Sequence, residues 1–183
     1  IDSEIWWGSP GGYSALDTTQ LPTTGSWGNT IADLDQDGFL DVVFANFSAD
    51  LTMTTDSFIY WGNASGTFST ADRSGLQTTG AYGVTSGDLD GDGYPELLFS
   101  QYTDGVSFGV SSKIYWNSPS GFTGLTTSLP CDGGTGLSIV DLDGDLDNDI
   151  LLSSERRPAG QYGSTTSWIY WNEGGTFSTA SRL

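Results

Sequence analysis

The sequence has no histidine, one cysteine and only five basic residues among its 183 positions. Without histidine, the chain lacks the side chain that most often moves protons near neutral pH, and zinc loses a preferred ligand. A single cysteine, Cys131, excludes an intrachain disulfide. The net charge of −18 disfavours nucleic acid and anionic lipid as partners, because both require Lys and Arg to neutralise phosphate. No apolar run reaches the roughly 18 residues of a membrane span, so we expect no membrane insertion.

An Ile-aromatic-Trp segment occurs four times, and its tryptophans follow one another at intervals of 54, 55 and 55 residues. An acidic loop lies in each of the three intervals. The residues that leave each loop are apolar on successive positions, as in Val42-Val43-Phe44. Such runs indicate strands that are covered on both faces. The sequence therefore predicts an all-β protein with four short strands in each repeat, stacked face to face on its neighbours.

The three acidic loops (33–41, 88–96 and 141–149) carry acidic side chains at positions 1, 3, 5 and 9. They contain 13 of the 23 acidic residues, and packing these together without a cation would be costly. Ca²⁺ takes about six to eight oxygen ligands, which Asp at alternate positions of a tight loop supplies. An EF-hand is excluded because position 12 is Phe44, Phe99 or Leu152 rather than Glu. We therefore predict about three Ca²⁺ ions, one in each loop.

The pattern Asp-x-Asp-x-Asp-Gly-x-x-Asp between two strands resembles the FG-GAP/VCBS repeat, the blade of integrin-α-like β-propellers. The resemblance covers essentially the whole chain, although Leu146 replaces the usual glycine at position 6 of the third loop, which predicts a strained turn there. It implies metal ligands at positions 1, 3, 5, 7 (by the backbone carbonyl) and 9: Asp33, Asp35, Asp37, Phe39 and Asp41; Asp88, Asp90, Asp92, Tyr94 and Glu96; Asp141, Asp143, Asp145, Asp147 and Asp149.

We predict a single repeat domain over residues 1–183, built from β-propeller-type four-stranded blades. An N-terminal half blade (1–21) precedes three complete blades (22–75, 76–130 and 131–183). The fourth strand is expected near 68–73 in the first blade and near 122–127 in the second. A closed propeller needs about four to eight blades. The end blades are therefore expected to bind another copy, or to continue into a longer chain.

Other positions suggest contacts with a ligand or a glycan. Trp27 and Tyr82 each lie six residues before the first Asp of a loop, and are candidates for contact with a protein or carbohydrate ligand. Asn46 and Asn63 begin N-x-S sequons, which are glycan acceptor sequences in secreted proteins.

The resemblance favours a calcium-stabilised extracellular or cell-surface module for adhesion or binding. The alternative is a structural subunit that assembles into an extracellular fibre or sheath. Catalysis is not expected, because the paired carboxylates all lie in metal-type loops.

Overall fold

The computed structural model describes residues 2–155 and 166–179. Its strands form one two-stranded and three four-stranded antiparallel sheets, and neighbours in each sheet are consecutive in sequence. The strands are β1 (Ser3–Ser9) and β2 (Gly12–Leu21) in the half blade; β3 (Ser26–Ala32), β4 (Asp41–Asn46), β5 (Thr54–Tyr60) and β6 (Arg73–Thr79) in blade 1; β7 (Ala81–Gly87), β8 (Glu96–Gln101), β9 (Ser112–Tyr115) and β10 (Thr126–Leu129) in blade 2; β11 (Gly134–Val140), β12 (Asp149–Ser154), β13 (Trp168–Asn172) and β14 (Phe177–Ser178) in blade 3.

This arrangement confirms the predicted all-β fold of four-stranded blades of the β-propeller type. It also shows the half blade as a separate hairpin, β1–β2. Among the described residues, no helix has the length and apolar character needed to cross a membrane.

The fourth strands begin later than predicted. They start at Arg73 and Thr126, and the expected blade boundary at residue 75 falls inside β6. Phe68 and Phe122 lie before these strands and pack against the hydrophobic cores. Aromatic residues after the turn therefore mark core contacts rather than strand starts.

The strands that leave the acidic loops form the core. All six residues of β4 and of β8 are buried, as their uninterrupted apolar runs predicted. One core cluster joins Val43 and Ile59 of blade 1 to Val84 and Leu97 of blade 2. The blades thus pack face to face, and burial of apolar surface between them is the main favourable contribution to their association.

The first strands of blades 1 and 2, β3 and β7, approach each other very closely. A β-carbon added at Gly28 would lie 2.7 Å from the Cα atom of Gly83, so no larger residue fits there without a shift of the backbone.

In the last three of the four Ile-aromatic-Trp strands, the tyrosine reaches towards the preceding blade or half blade. Tyr60 donates its hydroxyl hydrogen to the carbonyl oxygen of Pro22, Tyr115 to that of Gln77, and Tyr170 to that of Pro130. The same type of hydrogen bond therefore recurs at all three junctions.

Candidate metal centres

In each acidic loop, the aspartate at position 1 stabilises the turn by accepting a backbone hydrogen bond. In all three loops one oxygen of the position-1 aspartate accepts the backbone N–H of position 6, with N–O distances of 3.0 Å from Gly38, 3.0 Å from Gly93 and 3.1 Å from Leu146. The position-3 aspartate accepts the N–H of position 5 in the same way. Short side chains that bond the backbone a few residues onward favour tight turns.

Two positions of each loop have a positive φ, a region that favours glycine. Position 6 has φ of 90° at Gly38, 90° at Gly93 and 81° at Leu146, which confirms the strain predicted for the third loop. Position 4 has φ of 79° at Gly91 and 84° at Gly144, but in the first loop it is Gln36, with φ of 61°. Only the second loop has glycine at both positions.

The loops bring carboxylate oxygens together in three clusters. In each cluster, one oxygen from each of three side chains lies within 4.8 Å of the others. Two oxygens bound to one Ca²⁺ can be at most about 5 Å apart, so these groups fit a shared cation. The clusters are Asp33, Asp35 and Asp37; Asp88, Asp90 and Glu96; Asp141, Asp143 and Asp149.

Position 9 is buried and makes two backbone hydrogen bonds in every loop. One oxygen accepts the N–H of the position-2 leucine, and the other accepts the N–H of the residue after the repeated Trp. Asp41 makes these contacts without joining the first cluster. Asp92 and Asp145 also lie outside their clusters. Ligation by these three side chains, and by the carbonyls of Phe39, Tyr94 and Asp147, stays a prediction.

Burial raises the pKa of three loop carboxylates. Desolvation is the largest cause at Glu96, where it raises the pKa to about 7 against two opposing backbone hydrogen bonds. Desolvation likewise raises the pKa of Asp35 and of Asp41. Negative charge on these three side chains is therefore disfavoured by burial, and a bound cation would offset that cost.

The sequence reasoning missed two asparagines that lie beside these loops. Asn117 and Asn172 follow the repeated Trp, where the first two repeats have Gly8 and Gly62. Both side chains are buried, and each amide nitrogen donates to the loop of the preceding blade. The change from Gly in the first two repeats to Asn in the last two was the available signal.

Trp27 and Tyr82 stack with their ring centroids 5.3 Å apart, at the end of the blades opposite the acidic loops. Phe47 and Tyr102 adjoin them, with centroids 6.0 Å from Trp27 and 5.7 Å from Tyr82 respectively. These four residues are called the aromatic cluster below. The cluster brings together the two ligand-contact candidates.

The two sequons have different surroundings. Asn46 is fully buried; its side-chain oxygen accepts the N–H of Thr24, and its amide nitrogen donates to the carbonyl of Asp56. A glycan on Asn46 is therefore incompatible with this fold, and that prediction is corrected. Asn63 lies in a turn and is half-buried, so its glycosylation stays a prediction.

Comparison with known families matches residues 45–99 to the FG-GAP-like repeat. The matched segment runs from β4 through the acidic loop at Asp88 into β8, one full period of the repeat. A comparison with curated proteins gave no match. The match and the blade pattern agree on one conclusion: residues 45–99 of this chain form an FG-GAP-like repeat.

Proposed function

We propose that each acidic loop binds one Ca²⁺ and that these ions stabilise the blades. The observation that carries the proposal is the set of three clusters, each with carboxylate oxygens within 4.8 Å of one another. Ca²⁺ suits such oxygen-only, tightly folded loops, whereas Mg²⁺ requires a stricter octahedral shell and retains several waters. Zinc would favour histidine or thiolate ligands, and the chain has no histidine.

Thermal unfolding in EDTA, in millimolar Ca²⁺ and in millimolar Mg²⁺ tests this proposal. Each occupied site adds about 1.4 kcal/mol when the ion is at roughly 10 times its Kd, so three sites together should raise the Tm in Ca²⁺ clearly above the value in EDTA. Mg²⁺ should raise it less. Asp90→Asn removes one cluster carboxylate and should reduce the calcium-dependent rise. Equal melting temperatures in EDTA and Ca²⁺ would refute the proposal.

The proposed setting is extracellular or at the cell surface. Extracellular calcium modules commonly bind at about 10⁻⁴–10⁻³ M, which requires a calcium-rich environment. In that setting we assign the chain a role in adhesion or binding, with no catalysis. The acidic clusters found in the described residues all lie in the three loops, which supports a stabilising rather than a catalytic use.

The aromatic cluster supports a binding role. Trp27 is 64% exposed although it stacks on Tyr82, so it offers a flat apolar face beside a rigid neighbour. Exposed aromatic residues on a fixed scaffold are the side chains that most often anchor partners. We therefore place the contact with a protein or carbohydrate ligand on this cluster.

The second candidate function is that of a structural subunit that self-assembles into an extracellular fibre or sheath. A cleft of about 310 Å³ lies between the half blade and blade 1, where Ile31 is 57% exposed. The outward side of blade 3 exposes Val140 and Leu142. Apolar end faces of this kind favour docking of a further blade, from another copy or from a longer chain.

A further inference from the structure

Asn117 and Asn172 make the same pair of hydrogen bonds across two successive blade junctions. The amide nitrogen of Asn117 lies 2.7 Å from the Leu34 carbonyl oxygen in the loop of blade 1 and 3.1 Å from the Pro95 carbonyl oxygen in its own loop. That of Asn172 lies 2.8 Å from the Leu89 carbonyl oxygen and 3.0 Å from the Asn148 carbonyl oxygen. Each amide thus joins position 2 of one loop to position 8 of the next.

The contacted leucine lies between the position-1 and position-3 aspartates. Its N–H also donates to the position-9 carboxylate of the same loop, from Leu34 to Asp41 at 2.8 Å and from Leu89 to Glu96 at 2.6 Å. Fixing both polar groups of this leucine fixes the backbone on which the first two carboxylates are mounted. A loop held in this way loses less conformational freedom when it closes on an ion.

The asparagines occur in the two blades whose preceding blade has an acidic loop. In blade 1 the same repeat position is Gly62, and the half blade before it has no acidic loop. A β-carbon at Gly62 would lie 2.3 Å from the Leu40 carbonyl oxygen, so no side chain fits there. The residue after the repeated Trp is therefore asparagine where the preceding blade has a loop to contact, and glycine in blade 1, where it does not.

The third loop provides an internal comparison. Within residues 2–155 and 166–179, no asparagine side chain bonds to its position-2 carbonyl, and Leu142 is 45% exposed. Leu34 and Leu89, which the asparagines contact, are 1% and 2% exposed. Burial of position 2 and contact with the next blade therefore occur together.

We propose that Asn117 and Asn172 are positioning residues for the cation sites of the preceding blade, an inference that rests on the proposed binding of calcium by the loops. The cation sites of blades 1 and 2 are then each completed by the blade that follows. Groups that orient metal ligands without touching the metal commonly change its affinity by about 10- to 100-fold when removed. A substitution at Asn117 should therefore weaken calcium binding by the loop of blade 1, although the sequence of that loop is unchanged.

The test is a calcium titration of the full chain followed by the NMR amide signals of Gly38, Gly93 and Gly144, one in each loop. In Asn117→Ser, the Gly38 signal should require about 10-fold more Ca²⁺ to reach its midpoint, whereas Gly144 should titrate as in the unaltered chain. In Asn172→Ser, Gly93 should shift in the same way and Gly38 should not. Tyr115→Phe is the matched control, because it removes a different hydrogen bond across the same junction as Asn117.

An unchanged Gly38 midpoint in Asn117→Ser, or an equal shift in Tyr115→Phe, would overturn the inference and leave calcium binding intact. If the unaltered chain shows no calcium response, the proposed function fails and takes the inference with it. If Asn117→Ser does not fold in saturating Ca²⁺, Asn172→Ser carries the test through Gly93. Failure of both variants to fold would make the amides general requirements of the fold and would also overturn the inference.

Discussion

At the scale of single residues, Leu146 has a backbone conformation that glycine has at the same position of the other two loops. Its φ of 81° costs a residue with a β-carbon about 1–3 kcal/mol, and its side chain is 89% exposed. Leu146→Gly should therefore remove strain without loss of a packed side chain. Part of this gain is offset by the greater freedom of glycine in the unfolded chain, about 0.5–1 kcal/mol.

We predict a net stabilisation of about 1 kcal/mol for Leu146→Gly, measured by urea unfolding in saturating Ca²⁺. Gly93→Ala is the matched control at the same loop position, and it should destabilise the protein because it introduces the strain that Leu146→Gly removes. A neutral or destabilising Leu146→Gly would show that loop 3 tolerates leucine at no cost.

Single residues also show what the sequence could predict and what it could not. The strain at Leu146 was predictable because the repeat has a glycine at that position. The strain at Gln36 was missed, since position 4 was not recognised as a second site of positive φ. The burial of Asn46 could not be predicted either, because a sequon carries no information about the two backbone groups that its side chain contacts.

At the scale of structural elements, the position-9 carboxylates connect each loop to the third strand of its blade. Glu96 is the clearest case, with a pKa raised to about 7 in the fold from 4.5. Because the folded pKa is the higher of the two, the folded state binds more protons between these values. The stability that this group contributes is present below pH 4.5 and is lost as the pH rises through about 7. Asp41 shifts in the same direction.

We therefore predict that the calcium-free protein becomes less stable as the pH rises from 5 to 8, a range that contains the pKa of about 7. Urea unfolding in EDTA at several pH values measures this trend. Glu96→Gln should flatten it, because the substituted side chain does not titrate. A free energy of unfolding that rises with pH in EDTA would contradict the prediction that burial raises the pKa of Glu96 and Asp41.

The elements themselves were predicted well wherever burial determined the pattern. The uninterrupted apolar runs of β4 and β8 identified strands with two covered faces. The fourth strands were placed too early, since Phe68 and Phe122 contribute to the core from the turn before the strand. The role of Asn117 depends on a residue 83 positions away, and no local pattern specifies such a contact.

At the scale of the whole molecule, the two end faces differ from the junctions between blades. We predict that the protein in calcium at micromolar concentration has a mass above the single-chain value of 19.4 kDa, measured by size-exclusion chromatography with light scattering. Ile31→Asp, which places a charge in the cleft beside the half blade, should reduce the association. Leu51→Asp alters an exposed loop residue and serves as the control. A stable particle of single-chain mass would contradict the prediction.

The hydrogen bond from Asn117 to Leu34 also affects how these repeats can be exchanged by recombination. A segment cut at the blade boundaries would carry its acidic loop but leave the contacting amide behind in the next blade. A segment that begins with the first strand of one blade and extends past the third strand of the next to its asparagine would carry both. The smallest transferable unit of such a protein is therefore longer than a blade, and engineered chimaeras should be joined after the asparagine rather than before it.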